Sequence, residues 1–164
     1  MPALTEGTKA PAIELPLLGG GTFSLHAALE KSAVVLAFFK VSCPVCQYAF
    51  PYYERLAHAL GSRVPVIGVS QDDEDATRRF AKSYGIRFPI ALEDTRKYAV
   101  SDAYGLTNVP TLFEVAQDGT IAMSCVGWEK AVVEDIYQHH VHKAAPTPAP
   151  LFAKTETVAD FKAG

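Results

Sequence analysis

The stretch FFKVSCPVCQYAFPYYERL, residues 38–56, holds two of the chain's three cysteines, Cys43 and Cys46, two residues apart. It overlaps AVVLAFF, residues 33–39, a run of β-branched and aromatic side chains that is typical of a central strand covered on both faces. The pattern predicts a buried strand followed by a helix that ends near Gly61, with the cysteine pair at the helix start. The apolar residues at helical spacing are Cys46, Phe50, Tyr53, Leu56 and Leu60.

Three kinds of site use a Cys-x-x-Cys pair: a zinc centre, a structural disulfide and a redox dithiol. Zinc binds about four ligands, and the pair supplies only two. Cys125 is the only other thiol, and the cluster of His139, His140 and His142 contains no second pair at zinc-finger spacing. A structural disulfide across two residues would constrain the unfolded chain very little. The pair therefore indicates redox chemistry, and the sequence predicts no metal ion and no cofactor.

The predicted position of the pair separates the roles of the two cysteines. Unpaired backbone N–H groups and the helix dipole stabilise an anion at a helix N-terminus, so we expect Cys43 to have a lowered pKa and to attack as a thiolate. Cys46 lies one turn inside, with its Cα atom roughly 5 to 6 Å away, and we expect it to resolve the mixed disulfide. Pro44 suits the first helical turn, where its missing backbone donor would be unpaired in any case.

The remaining segments alternate between strand and helix patterns. The sequence predicts a strand at 21–25, a second buried strand at 64–70, a helix at 71–85, a short edge strand at 88–92, a helix at 95–105, a hairpin at 111–127 and a last helix at 128–142. This order gives an α/β fold, a mixed central sheet with helices on both faces. We assign residues 1–143 to this domain and residues 144–164 to an extended C-terminal tail that crosses it through Leu151, Phe152 and Phe161.

The composition excludes several functions. The 164 residues are 49% hydrophobic and 20% charged, and the net charge of −3 offers no basic field to nucleic acid or anionic lipid. The N-terminal segment lacks the charged start and apolar core of a signal peptide, and the longest apolar run, residues 33–39, is too short to span a bilayer. We therefore expect no membrane or nucleic-acid partner and a cytoplasmic location, although a chain trimmed of an export signal would look the same.

Four segments carry a resemblance to a known family. FFKVSCPVCQYAFP resembles the active-site segment of the thioredoxin superfamily, and the whole chain resembles its redoxin branch, which holds AhpC/TSA-like and membrane-anchored thiol–disulfide oxidoreductases. Residues 7–25 are similar to the N-terminal hairpin of that branch, residues 66–94 to its inserted strand and helix, and residues 103–121 to the segment that carries a cis-proline. The four motifs occur in the family's order and cover about residues 7–142.

The resemblance implies a thioredoxin fold with an N-terminal β-hairpin, and a thiol–disulfide oxidoreductase that works through this dithiol. It also implies a cis Val109–Pro110 bond, with Pro110 against the cysteines and the Val109 backbone free to pair with a substrate strand. Pro44 and Val45 would belong to the same substrate site. The implied partners are a disulfide-bearing protein or small thiol substrate and a dithiol reductant, and we expect a monomer or a weak dimer.

Two other functions remain open. Peroxiredoxins of this branch typically carry a threonine three residues before the attacking cysteine and an arginine near the cis-proline position, whereas this chain has Lys40 and NVPT, residues 108–111. The dithiol and the Val-Pro-Thr segment therefore favour disulfide exchange over an antioxidant peroxidase with Cys43 peroxidatic and Cys46 resolving. The second alternative is a thioredoxin-fold binding module with a vestigial dithiol, against which the intact cysteine pair and Pro110 argue.

One family feature is missing. Many thioredoxins hold a buried acid six residues before the first cysteine, and this chain has Ala37 there. Glu93 or Asp94 is the candidate substitute as proton acceptor, against the alternative that both are solvated loop acids.

Lys40 is a candidate for lowering the pKa of the attacking thiol, against the alternative of an ordinary solvated lysine. Cys125 is predicted to be a packed apolar side chain, with a third redox thiol as the alternative.

Overall fold

The chain folds around a mixed five-stranded sheet, in a computed structural model that describes residues 2–142 and 149–164. The strands are β1 (Glu14–Pro16), β2 (Thr22–Ser24), β3 (Val34–Phe39), β4 (Val66–Ser70), β5 (Ile90–Leu92), β6 (Thr111–Val115), β7 (Ile121–Val126), β8 (Trp128–Glu129) and β9 (Phe161–Lys162). The helices are α1 (Leu25–Leu29), α2 (Pro44–Leu60), α3 (Glu74–Tyr84), α4 (Ala99–Ala103) and α5 (Lys130–Val141).

The strand order in the central sheet is β5-β4-β3-β6-β7. β3, β4 and β5 run parallel, whereas β6 is antiparallel to β3 and β7 is antiparallel to β6. All six residues of β3 are buried, because the strand lies in the middle of the sheet and both of its faces are covered. β1 and β2 form a separate antiparallel hairpin. The predicted mixed sheet and N-terminal hairpin are confirmed.

Alternate residues of β3 divide the core into two layers. Val35, Ala37 and Phe39 belong to the layer that contains α2, α3 and α5, and the residues between them belong to the layer that contains α1 and the N-terminal hairpin. The predicted apolar stripe of α2 is buried in the first layer, where the Phe50 ring packs on the Phe39 ring with centroids 4.2 Å apart. Helices therefore cover both faces of the sheet, as predicted.

The C-terminal tail is part of the first layer. Leu151 and Phe152 are buried, as predicted, and so is Val158. The prediction for Phe161 is wrong: its side chain is 58% exposed, and its backbone holds the tail instead, through antiparallel pairing of β9 with β8. Residues of a strand alternate between two faces, and the outward position falls on Phe161. The predicted boundary between residues 143 and 144 lies outside the described residues.

Two predicted helices are shorter in the structure. The last helix begins at Lys130, because Trp128 and Glu129 pair with the tail as β8. The helix predicted at 95–105 is reduced to α4, because Tyr98 takes a left-handed backbone conformation with φ of 49°. Among the residues that the structure describes, no helix is both long and apolar enough to cross a membrane.

Candidate active site

The two cysteines lie at the start of α2, as the sequence predicts. Cys43 is the N-cap residue, and its sulfur accepts a hydrogen bond from the Cys46 backbone N–H at 3.3 Å. Pro44 occupies the first helical turn, where no donor is lost. Cys43 is half-buried, whereas Cys46 is fully buried. One sulfur is therefore accessible to a substrate, and the other is shielded from solvent.

Burial raises the pKa of the Cys46 thiol well above its usual value. A backbone hydrogen bond from Lys40 acts in the opposite direction, and Cys43 and the Asp72 carboxylate add to the rise in pKa. Because the resulting pKa lies far above neutrality, Cys46 carries its proton at neutral pH. The thiol must lose that proton before its sulfur can attack another sulfur atom.

The segment before β6 contacts the predicted nucleophile. The Val109–Pro110 peptide bond is cis, as the resemblance implies. The Cys43 thiol donates a hydrogen bond to the Val109 carbonyl at 3.3 Å, so the structure brings Val109 and both cysteines together. A depression of about 200 Å³, open to solvent, lies beside this contact and is lined by Lys40, Gln71 and residues 106–109.

Three other predicted site residues surround the dithiol. Pro44 is exposed and Val45 is half-buried, and both follow Cys43 in the first turn of α2. The Lys40 side chain is exposed. The contact of Lys40 with the site is made by its backbone carbonyl, which accepts a hydrogen bond from the Cys43 N–H at 3.3 Å. The roles of these residues in substrate binding and pKa tuning stay predictions.

The two acids proposed as proton acceptors have other partners in the structure. Glu93 is buried, and its carboxylate accepts hydrogen bonds from the Ser101 backbone N–H at 2.8 Å and from the Ser101 hydroxyl. Ser101 lies in the first turn of α4, and the N-cap residue Tyr98 makes no side-chain cap. Glu93 therefore caps α4 from outside the helix. Asp94 forms an ion pair with Arg96 at the surface.

Asp72 is a site residue that the sequence analysis missed. Its carboxylate accepts a hydrogen bond from the Val41 backbone N–H at 2.8 Å, and its charge contributes to the raised pKa of Cys46. A signal for it exists in the sequence, because Asp72 follows β4 just as Cys43 follows β3. The carboxyl ends of these parallel strands meet at one edge of the sheet, where side chains from successive loops converge.

Cys125 is buried in β7, and burial raises the pKa of its thiol to about 12. The thiol lies 3.7 Å from the Gly127 carbonyl, to which it donates. A buried, protonated thiol is a poor nucleophile, so the structure favours the packed side chain over a third redox thiol.

Alkylation of the reduced, folded protein with iodoacetamide at pH 8 is expected to modify Cys43 and to leave Cys46 and Cys125 unmodified. The reason is that both of the latter thiols are buried and protonated at this pH. Peptide mass spectrometry gives the labelled fraction of each cysteine, and unfolding in guanidinium provides the control in which all three react. Labelling of Cys125 as fast as Cys43 would contradict the assignment of Cys125 as a packed side chain.

The histidine cluster does not form a separate site. His140 is paired with the Glu114 carboxylate, and each of these side chains is 11% exposed. His140 therefore lies over the sheet, beside Glu114 of β6. Within residues 2–142 and 149–164, no group of three or more His, Cys, Asp or Glu side chains is arranged to hold a metal ion.

The chain is similar to proteins of known family and structure. A model of the AhpC/TSA family matches residues 7–124. The chain is 30% identical over 127 residues to the thiol-disulfide oxidoreductase ResA of Bacillus subtilis (strain 168), covering 76% of this chain and 69% of that protein. The thioredoxin domain of a thiol-disulfide oxidoreductase from Bacteroides vulgatus superposes with a TM-score of 0.76 at 20% identity, over 84% of this chain and 99% of that chain. Peroxidoxin BcpB from Mycobacterium tuberculosis superposes with a TM-score of 0.71 at 18% identity, over 85% of this chain and 97% of that chain. These superpositions confirm the predicted thioredoxin fold.

Proposed function

This chain belongs to the AhpC/TSA family and is an oxidoreductase, and we propose that it exchanges disulfides through the Cys43–Cys46 dithiol. The arrangement of the two sulfurs carries the proposal. Cys43 is half-buried at the N-terminus of α2, and the Cys46 thiol is buried one turn further along and protonated. Disulfide exchange uses such a pair, with one sulfur that meets the substrate and a second that stays unreactive until the first is occupied.

In the first step, the Cys43 thiolate attacks one sulfur of a substrate disulfide. A bond forms between Cys43 and that sulfur, the substrate S–S bond breaks, and the other substrate sulfur leaves as a thiolate. The Cys46 backbone N–H, 3.3 Å from the Cys43 sulfur, donates a hydrogen bond to the attacking group. The product of this step is a mixed disulfide between the protein and its substrate.

In the second step, Cys46 gives up its proton and its sulfur attacks Cys43. The bond between Cys43 and the substrate breaks, and the second substrate sulfur leaves as a thiolate. The substrate has gained two electrons, and the protein has lost two and holds a Cys43–Cys46 disulfide. A dithiol reductant then returns the protein to its starting state. The substrate is a disulfide of a protein or of a small thiol compound.

The proton of Cys46 needs an acceptor, and Asp72 is the candidate. Its carboxylate is held beside the dithiol by the Val41 backbone N–H, and it is the carboxylate whose charge contributes to the raised pKa of Cys46. A carboxylate beside a dithiol is the type of group that accepts a thiol proton, directly or through one water molecule.

Asp72→Asn is expected to slow the second step by about 10²-fold at pH 7, the size of effect typical of a positioned proton acceptor. The defect should shrink as the pH rises, because hydroxide then removes the Cys46 proton without help. The measurement is the release of the second substrate thiolate in a single-turnover experiment between pH 6 and pH 9.

Asp73→Asn is the matched control for this variant. Asp73 caps α3 by accepting a hydrogen bond from the Ala76 N–H at 2.8 Å, a role that asparagine also fills. Loss of the Asp72 charge also lowers the Cys46 pKa, which by itself would speed the second step. A second step that is as fast as or faster than wild type in Asp72→Asn would mean that Asp72 accepts no proton.

Reduction of insulin by dithiothreitol tests the proposed function, and consumption of hydrogen peroxide is the parallel assay. Catalysed insulin reduction with little peroxide consumption is the expected result. Peroxide consumption without insulin reduction would indicate a peroxidase, despite Lys40 in the threonine position and the lack of arginine among residues 106–111. No activity in either assay would indicate a binding module.

A further inference from the structure

The end of the tail runs from the aromatic side chains of α2 towards the active site. The Ala159 N–H donates a hydrogen bond to the Tyr48 hydroxyl at 2.8 Å, and the Ala159 carbonyl accepts one from Trp128 Nε1 at 2.6 Å. The Asp160 carbonyl accepts a hydrogen bond from the Lys130 N–H at 3.0 Å, and β9 then pairs with β8. Residues 159–162 are thus held by main-chain hydrogen bonds beside the helix that carries the dithiol.

Gly164 reaches the carbonyl that faces the nucleophile. The Asn108 side-chain amide donates a hydrogen bond to the Gly164 carbonyl at 3.1 Å. A Cβ atom built on Gly164 would lie only 2.7 Å from the Val109 carbonyl oxygen, so the two backbones are in close contact. The same Val109 oxygen accepts the hydrogen bond from the Cys43 thiol. The tail therefore occupies space beside the Val109 main-chain group, which the family resemblance assigns to substrate pairing.

The tail is anchored by buried side chains and an ion pair as far as Val158, whereas residues 161–164 are held by the β8–β9 pairing and by Asn108. The Arg55 guanidinium makes two hydrogen bonds to the Glu156 carboxylate, at 2.8 and 2.6 Å, and holds the pKa of that carboxyl below its usual value. Leu151, Phe152 and Val158 are buried in the core. Beyond them, the Phe161 side chain is exposed, and Ala163 and Gly164 are small and exposed. Residues 161–164 can therefore leave this position, by breaking the β8–β9 pairing and the Asn108 bond, without displacing the buried side chains upstream.

We propose that residues 161–164, the tail tip, compete with an extended protein substrate for the edge of Val109, whereas small disulfides reach Cys43 past them. The inference rests on the proposed function. A substrate strand that docks by β-augmentation needs the main-chain groups of Val109 and the space beside them. The tail tip fills part of that space, so a protein strand binds only when the tip has moved. A small disulfide makes no strand pairing and needs only the exposed face of the Cys43 sulfur.

A substrate strand binds only while the tip is away from the site. Its apparent affinity is therefore the intrinsic affinity multiplied by the fraction of time that the site is uncovered. If the tip covers the site about nine-tenths of the time, its removal raises the rate with a protein disulfide about tenfold. The rate with a small disulfide stays the same. The ratio of the two rates is therefore the quantity that the tip controls.

The test uses enzyme that is reduced and freed of reductant, then mixed with insulin or with bis(2-hydroxyethyl) disulfide. Acid quenching and alkylation follow the conversion of the Cys43–Cys46 dithiol into its disulfide as substrate thiols are released. A variant that lacks residues 161–164 is expected to react about tenfold faster with insulin and within twofold of wild type with the small disulfide. Gly164→Val should change the ratio in the same direction, because its side chain would clash with Val109.

Thr155→Val is the matched control, since it places the same valine side chain at an exposed tail position upstream of residues 161–164. It should leave both rates unchanged. If insulin oxidises the dithiol of the shortened variant no faster than that of wild type, residues 161–164 do not compete with the substrate. They would then be neutral or part of the substrate site. A wild-type protein that reacts with neither disulfide would instead refute the proposed function, so the two failures are distinguishable.

Discussion

The Cys46→Ser variant is expected to accumulate a mixed disulfide between Cys43 and its substrate, and the Cys43→Ser variant is expected to form none. A serine hydroxyl at position 43 is not ionised near neutral pH, so exchange should fall by at least about 10³-fold. At position 46, serine leaves the first step intact and removes the sulfur that would release the substrate. Both variants should show no turnover, and only one should hold a covalent adduct.

Mass spectrometry of each variant after incubation with insulin measures the adduct and locates it by peptide mapping. Cys125 is present in both variants and controls for adducts at a third thiol, and Cys125→Ala should keep exchange near the wild-type rate because that thiol is buried. Equal trapping by Cys43→Ser and Cys46→Ser would reverse or abolish the assigned roles. Loss of turnover in a folded Cys125→Ala protein would require a relay of three cysteines.

Trp128→Ala is expected to lower the free energy of unfolding by about 3–5 kcal/mol, the range for removing a buried aromatic side chain. Trp128 is the only tryptophan of the chain and is fully buried. Its ring lies between α2 and the tail, with centroids 5.1 Å from Tyr52 and 6.3 Å from Phe152. Its Nε1–H also donates to the Ala159 carbonyl, so the substitution leaves a cavity and frees the tail. Denaturant unfolding monitored by circular dichroism measures the decrease in the free energy of unfolding.

Trp128→Phe separates packing from hydrogen bonding. Phenylalanine keeps most of the aromatic contact and lacks the N–H donor, so we expect a smaller loss of about 1–2 kcal/mol. Hydrogen exchange should show faster exchange of the Ala159 amide in both variants, because loss of the Trp128 bond to the Ala159 carbonyl loosens the segment whose amide donates to Tyr48. A Trp128→Ala protein as stable as wild type would mean that the contacts of Trp128 with α2 and the tail do not stabilise the fold.

The sequence predicts local structure well here because its signals are local. The run at 33–39 contains only apolar residues, and the stripe from Cys46 to Leu60 has the helical period, so strand β3 and helix α2 are both foreseen. The cysteine pair at their junction needs no knowledge of distant residues. The dithiol and its position at a helix N-terminus could therefore be predicted from one short stretch.

Contacts between distant segments were harder to predict. The β8–β9 pairing joins two strands of two residues each, which is too short for any alternation to appear in the sequence. The cap that Glu93 gives to α4 comes from eight residues before Ser101, whereas the usual cap signal lies within four residues of the helix start. Asp72 looks like one of several acids that open α3, and only the sheet topology shows that it lies beside Val41.

The segment that covers the aromatic side chains of α2 and β8 is synthesised last of all the described elements. Trp128 and Tyr48 are synthesised well before Phe152 and Ala159, which cover them in the folded protein. At about 5–20 residues per second, the interval between the synthesis of β8 and that of β9 lasts a few seconds. Until the tail has been made, these aromatic side chains lack the cover that Phe152 and Ala159 give them in the folded protein. This interval is a period in which a chaperone has apolar surface to bind and in which neighbouring nascent chains can associate.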